Sequence, residues 1–178
     1  MLLRNSATHY GQVGRALHWT SVALFLSVIV YGSRLEEIDS TPLPVADLSM
    51  HVILGVALML VMMTRFAWRM TNLNPVKSYA LPAWHRRLAI SVHWFIYSAV
   101  LAQCMIGIVQ WLTDRRPLTL FDYRFDFAHA WSNPELHEKV HGVHEAFSDM
   151  LIVAIALHVC AAIYHQVVGV PLDISEVD

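Results

Sequence analysis

The chain has 178 residues, of which 56% are hydrophobic and only 15% charged, and its mean hydropathy is +0.46. An ordinary soluble domain carries about 25% charged residues, so this composition excludes a typical soluble globule and points to an integral membrane protein of one compact domain, residues 1–178. A formal net charge of −2 gives no basis for nucleic-acid binding, and eleven histidines are more than packing needs.

Residues 1–19 hold Arg4 and Arg15 without an apolar core directly behind the charges and without a small-residue cleavage site, so no signal peptide is expected there. Four stretches free of Asp, Glu, Lys and Arg follow: residues 16–33, 48–64, 88–113 and 150–172. A bilayer core takes ~20 helical residues, and lipid obliges each span to hydrogen-bond its own backbone. The expected fold is therefore all-α, an integral membrane four-helix bundle with spans at about 15–34, 47–69, 86–113 and 141–169. The fourth span starts ahead of Met150 if Glu145 and Asp149 face the bundle or the interface. Cys104 and Cys160 sit inside apolar runs and read as small buried thiols rather than a disulfide.

Basic residues set the orientation. Arg4, Arg15, Arg65, Arg69, Lys77, Arg86 and Arg87 fall on one side of the spans; Arg34, Arg115, Arg116, Arg124 and Lys139 fall on the other, among more acids. This asymmetry places both termini in the cytoplasm. The longest outer connection, residues 114–136, is aromatic (Phe121, Tyr123, Phe125, Phe127, Trp131), which suits a segment resting on the membrane surface.

The histidines then acquire depths. His18 lies just inside the cytoplasmic end of span one and His51 at the outer end of span two. His144 lies near the outer end of span four, and His158 toward its inner end. Fourteen residues separate His144 from His158; at ~100° per residue this is about 40° short of four full turns, so both point from nearly one face. Intramembrane histidines are costly unless something binds them. They sort into an outer pair, His51 with His144, and an inner pair, His18 with His158. Imidazoles at matching depth suit the two faces of a planar haem, and two such sites stacked across the bilayer make an electron path. Bis-imidazole iron has no open position, which favours electron transfer over oxygen activation.

The other histidines leave options open. His93, in span three, has no partner in this scheme and suits a haem propionate, a quinone or polar packing. His165 shares the face of His158 and is either the fallback inner ligand or part of an interfacial or quinone site. His137 and His141 lie at the outer mouth, where either can replace His144 or touch a propionate; His141 is rotated about 100° from the His158 face, so His144 is preferred. His9, His85 and His129 read as solvated. His137-Glu138-Lys139-Val140-His141 matches the zinc-protease pattern H-E-x-x-H, but the chain has no room for a peptide-binding domain. Met59, Met62 and Met63 read as packing, and Gly55 and Gly107 as places of close approach.

Several of these pieces together resemble the prokaryotic cytochrome b561 family. They are Arg15-Ala16-Leu17-His18-Trp19, His51-Val52-Ile53-Leu54-Gly55, Met63-Thr64-Arg65-Phe66-Ala67-Trp68-Arg69 and His93-Trp94-Phe95-Ile96-Tyr97, then His144-Glu145 and Leu157-His158 with His165. The resemblance runs in order over nearly the whole chain. It implies a single transmembrane cytochrome b domain in the bacterial inner membrane, with two haem b groups held by four histidines. Carried onto this chain, His18 and His158 hold the cytoplasmic haem, and His51 and His144 the periplasmic one. It also implies exchange of electrons with ubiquinone, and in one branch the oxidation of superoxide. The expected partners are the lipid bilayer, ubiquinone and a periplasmic one-electron donor, small molecule or protein. The protein is then either an oxidoreductase of the superoxide:ubiquinone type or an electron carrier; the alternative is the membrane-anchor subunit of a separate soluble oxidoreductase. The outer segment matches least well. Its Arg115, Arg116 and Arg124 suit an anionic donor, offset by Asp114, Asp122 and Asp126.

Overall fold

Apolar runs with no water to satisfy their backbone fold as helices, and four do so here. The computed structural model describes residues 3–6, 11–36, 45–72, 83–114, 116–120, 123–125 and 132–167. They form α1 (Gln12–Glu36), α2 (Val45–Thr71), α3 (Ala83–Thr113) and α4 (Pro134–Val167), with β1 (Leu118–Leu120) and β2 (Tyr123–Phe125) between the last two helices. Each helix contains a stretch long and apolar enough to cross a membrane, so the chain is a multi-pass membrane protein and the bilayer is its solvent. Large apolar side chains such as Leu26, Leu60, Met105, Leu157 and Ile163 stand exposed on the bundle, where lipid is their natural contact.

The helices outrun the apolar stretches. At 1.5 Å per residue the 34 residues of α4 reach about 51 Å, well beyond a hydrocarbon core of roughly 30 Å. Its start has a local cause. Asn133 caps it, Oδ1 accepting from Leu136 N at 3.1 Å, and Pro134 takes the first helical position, where a missing N–H is harmless. Glu135 then pairs with Lys139 one turn on. The helix thus begins ahead of the span expected at about 141.

Each helix packs on its sequence neighbours, α1 on α2, α2 on α3 and α3 on α4. Among the described residues α4 makes no close backbone approach to α1 or α2. Leu58 and Met62 of α2, Tyr97, Ala99 and Val100 of α3 and Leu151 of α4 form the buried centre. Leu151 is 2% exposed and stands midway along α4 between His144 and His158, so the apolar plug separates the two histidine levels. Gln103 ties α3 to α4, its Nε2 donating to the His144 carbonyl at 2.9 Å and to Ser148 Oγ.

β1 and β2 form an antiparallel hairpin that the spans did not announce. It is tied to the bundle: Thr119 N donates to Ser49 Oγ at 2.8 Å, and the Ser49 side chain is fully buried beneath it. The hairpin is thereby fastened to the first turns of α2, two residues before His51. Phe121, Phe127 and Trp131 lie outside the described residues. The cysteines are both free, Cys104 half-buried and Cys160 exposed on α4, so the expectation of a buried thiol fails at Cys160. The second half of α4, residues 150–167, is largely apolar around its circumference, which gives the sequence no lipid face to distinguish from a protein face there.

Candidate functional site

Two histidine levels follow from the helix order. On the hairpin side, α2 presents His51 from its second turn and α4 presents His144. Their rings lie 6.2 Å apart between centroids, nearly perpendicular at 77°. His51 is held by α1: its Nδ1 lies 3.0 Å from the Val28 carbonyl oxygen. Only an N–H can satisfy that carbonyl, so the proton sits on Nδ1 and Nε2 keeps a lone pair, the form that binds metal.

Two glycines make room for these rings. A Cβ at Gly32 of α1 would stand 3.1 Å from His51 Cε1, and one at Gly107 of α3 would stand 3.0 Å from His144 Cε1. Any other residue would press on an imidazole edge. The close approach expected at Gly107 is therefore present, its neighbour being a ring of the site; around Gly55 a Cβ would meet open space.

On the termini side, His18 of α1, His93 of α3 and His158 of α4 gather. The His93 and His158 rings are 5.4 Å apart at 81°, which gives His93 the partner that sequence spacing withheld. His93 Nδ1 is turned to the Ala89 carbonyl of its own helix at 2.6 Å. His18 and His158 lie within electrostatic range of each other and of the Arg65 guanidinium. Arg65 is anchored twice. Its Nη1 donates to Ser21 Oγ at 3.1 Å, Ser21 donates onward to the His18 carbonyl at 2.7 Å, and the guanidinium lies 5.1 Å over the Tyr97 ring. Arg69, one turn on, stacks over Trp94 and Tyr97. In the sequence both arginines mark the cytoplasmic flank and belong to the piece at residues 63–69; the structure adds that the face of α2 bearing them turns to the bundle.

His137 and His141 belong to the mouth above the hairpin-side pair. Their rings are stacked with an interplanar angle of 2°, and both lean on Gln110: His137 Nδ1 on its carbonyl at 3.1 Å, His141 Nδ1 on its side-chain nitrogen at 2.9 Å. They fasten α4 to α3. Among the described residues no cluster of three or more His, Cys, Asp or Glu is placed to hold a metal ion, so the H-E-x-x-H pattern has no third ligand there. Met62 is buried packing and Met63 is exposed. The His165 and His85 side chains, with His9 and His129, lie outside the described residues. Outside the mouth, Arg116 is held by Asp114 at 2.6 Å, and Arg115 lies outside the described residues.

Whether these residues fit a haem is a matter of spacing and unmet polar atoms. Two imidazoles bound at about 2 Å to opposite sides of one metal have centroids roughly 6 Å apart, close to the 6.2 Å observed. His144 Nδ1 and His18 Nδ1 are buried without a hydrogen-bond partner, so neither ring is placed there by a protein partner of that nitrogen. The residues fit.

Fold and site together define a multi-pass membrane bundle with histidines gathered at two interior depths. The family model of prokaryotic cytochrome b561 matches residues 9–176, and the chain belongs to that family. A membrane electron-transfer role with b-type haem follows from membership. Among curated proteins nothing matches the chain.

Proposed function

We propose that the protein is a two-haem cytochrome of the bacterial inner membrane, with both termini cytoplasmic, carrying electrons between a one-electron donor on the periplasmic hairpin side and the ubiquinone pool. His51 and His144 hold one haem, and His18 and His158 the other; His93 and His165 serve as propionate or quinone contacts. Bound haem supplies reversible one-electron chemistry at iron. The protein supplies the rest. Val28 fixes the His51 tautomer, Gly32 and Gly107 set the ring positions, and Leu151 with its neighbours keeps the two levels apart in a water-free interior.

One observation carries the reading: His51, with Nε2 bare and Nδ1 fixed by Val28, faces His144 at the separation that one iron between two imidazoles requires. The test is haem content. Replace each of His18, His51, His144 and His158 singly by Ala and measure haem per chain by pyridine haemochrome. Each variant is expected to retain one haem. A variant that retains two rejects that ligand.

The first donor to try is superoxide, whose rate of haem reduction is measured with and without ubiquinone. A second reading, an anchor for a separate soluble oxidoreductase, draws on the hairpin: Tyr123 and Phe125 stand exposed on an element fastened beside His51. Stoichiometric co-purification of a partner, lost in Tyr123→Asp, supports that reading; fast reduction by superoxide of the isolated protein removes the need for it.

A further inference from the structure

The two levels hold the same kind of ligand in unlike electrostatic surroundings. At the hairpin-side level, the groups that touch His51 and His144 are neutral: the Val28 carbonyl, the Gln103 amide and two glycines. In the adjoining half of α4, residues 134–149, Glu135, Glu138, Glu145 and Asp149 stand against a single Lys or Arg of that stretch, Lys139, itself paired with Glu135. Glu145 and Asp149 are exposed on the helix rather than turned into the bundle. The Arg34–Asp47 pair at the same end brings no net charge.

At the termini-side level there is a fixed cation. Arg65 is held between α1 and α3 by Ser21 and Tyr97, each 5% exposed, so its position is set by buried groups. Ser21 in turn bonds the backbone of His18, and Tyr97 lies one turn from His93 on α3. Arg69 adds a second guanidinium one turn away. Residues 150–167 of α4 contain no Asp or Glu; the acids of the C-terminal segment, Asp173, Glu176 and Asp178, lie outside the described residues.

Reduction of a haem iron adds one electron and lowers the local charge by one. A cation held nearby in a medium of low dielectric favours the reduced form, and carboxylates disfavour it. We infer that Arg65 sets the direction of electron flow: it holds the termini-side haem at a higher potential than the hairpin-side haem, so that electrons run from the hairpin side to the termini side. This rests on the two-haem reading above. With haem bound, each electron lost by the hairpin-side donor would be gained at the termini-side level, with no bond made or broken in the protein. An inside-negative membrane potential opposes that inward movement, and the built-in difference offsets it.

Redox potentiometry of the purified holoprotein, followed in the reduced-minus-oxidised spectrum, tests this. The single-haem variants His51→Ala and His18→Ala show which wave belongs to which level. In the wild type the termini-side wave is expected to be the higher. Arg65→Met is expected to lower that wave alone, by at least tenfold in its reduction equilibrium, which is about 59 mV for a one-electron couple. Arg65→Lys is expected to keep most of the wild-type value. Equal waves or the reverse order in the wild type overturn the inference, as does an Arg65→Met protein whose waves move together or not at all. If Arg65→Met fails to load haem, the wild-type order alone decides. Failure of the two-haem reading shows separately, as fewer than two haems per chain in the wild type.

Discussion

The hairpin-side and termini-side levels differ in how they are held and in what they leave open. The hairpin-side pair is built from backbone and small residues: a carbonyl fixes one ring, two glycines admit the ring edges, and a hairpin is fastened to the α2 turns beside it. The termini-side group is built from side chains: three histidines, two arginines and the aromatic rings that carry them. Backbone contacts fix geometry and bring no net charge, whereas the guanidiniums, held by Ser21 and the rings of Trp94 and Tyr97, bring a fixed charge. One ligand chemistry can therefore be given a site set by neutral backbone contacts at one depth and a site with fixed cations at the other.

Removing a ligand from one level is expected to leave the other level intact. His144→Ala is expected to abolish reduction from the hairpin side, at least a hundredfold in rate, while the termini-side haem still reduces with dithionite; stopped-flow absorbance reads both. Leu151 serves both levels, so Leu151→Ala is expected to cost about 2–5 kcal/mol of stability, seen in a denaturant or thermal melt, and to loosen both haems equally. Glycine substitutions sharpen the contrast. Gly107→Ala puts a methyl against the His144 ring and is expected to cost about 1–3 kcal/mol. The hairpin-side haem alone should show it, as faster transfer to apomyoglobin. The smallest effect belongs to Asn133→Ala, which removes the α4 cap far from either level: about 1 kcal/mol in the melt, with both haem spectra unchanged.

Much of this was legible in the residues. Four apolar runs become four helices because lipid leaves the backbone no alternative, and counting from span ends is enough to pair His51 with His144 by depth. The chemistry that depends on helix rotation was not legible. Arg65 and Arg69 announce a cytoplasmic flank by type, but only the packing of α2 on α3 shows that they stack on Tyr97 inside the bundle. His93 meets His158 for the same reason. The hairpin escaped because its strands have three residues each, too few for an alternating pattern, and its anchor, Ser49, is seventy residues from Thr119. The start of α4 was written in Asn133-Pro134-Glu135, a cap that a count of uncharged residues passes over.

On the proposed reading, His51 with His144, and His18 with His158, would each hold one haem. Low-temperature electron paramagnetic resonance of the oxidised, haem-loaded protein tests it most directly. Two distinct low-spin ferric signals in equal amount are expected, with no high-spin iron. A single low-spin signal accounting for all the iron, or a high-spin signal of comparable weight, would contradict it.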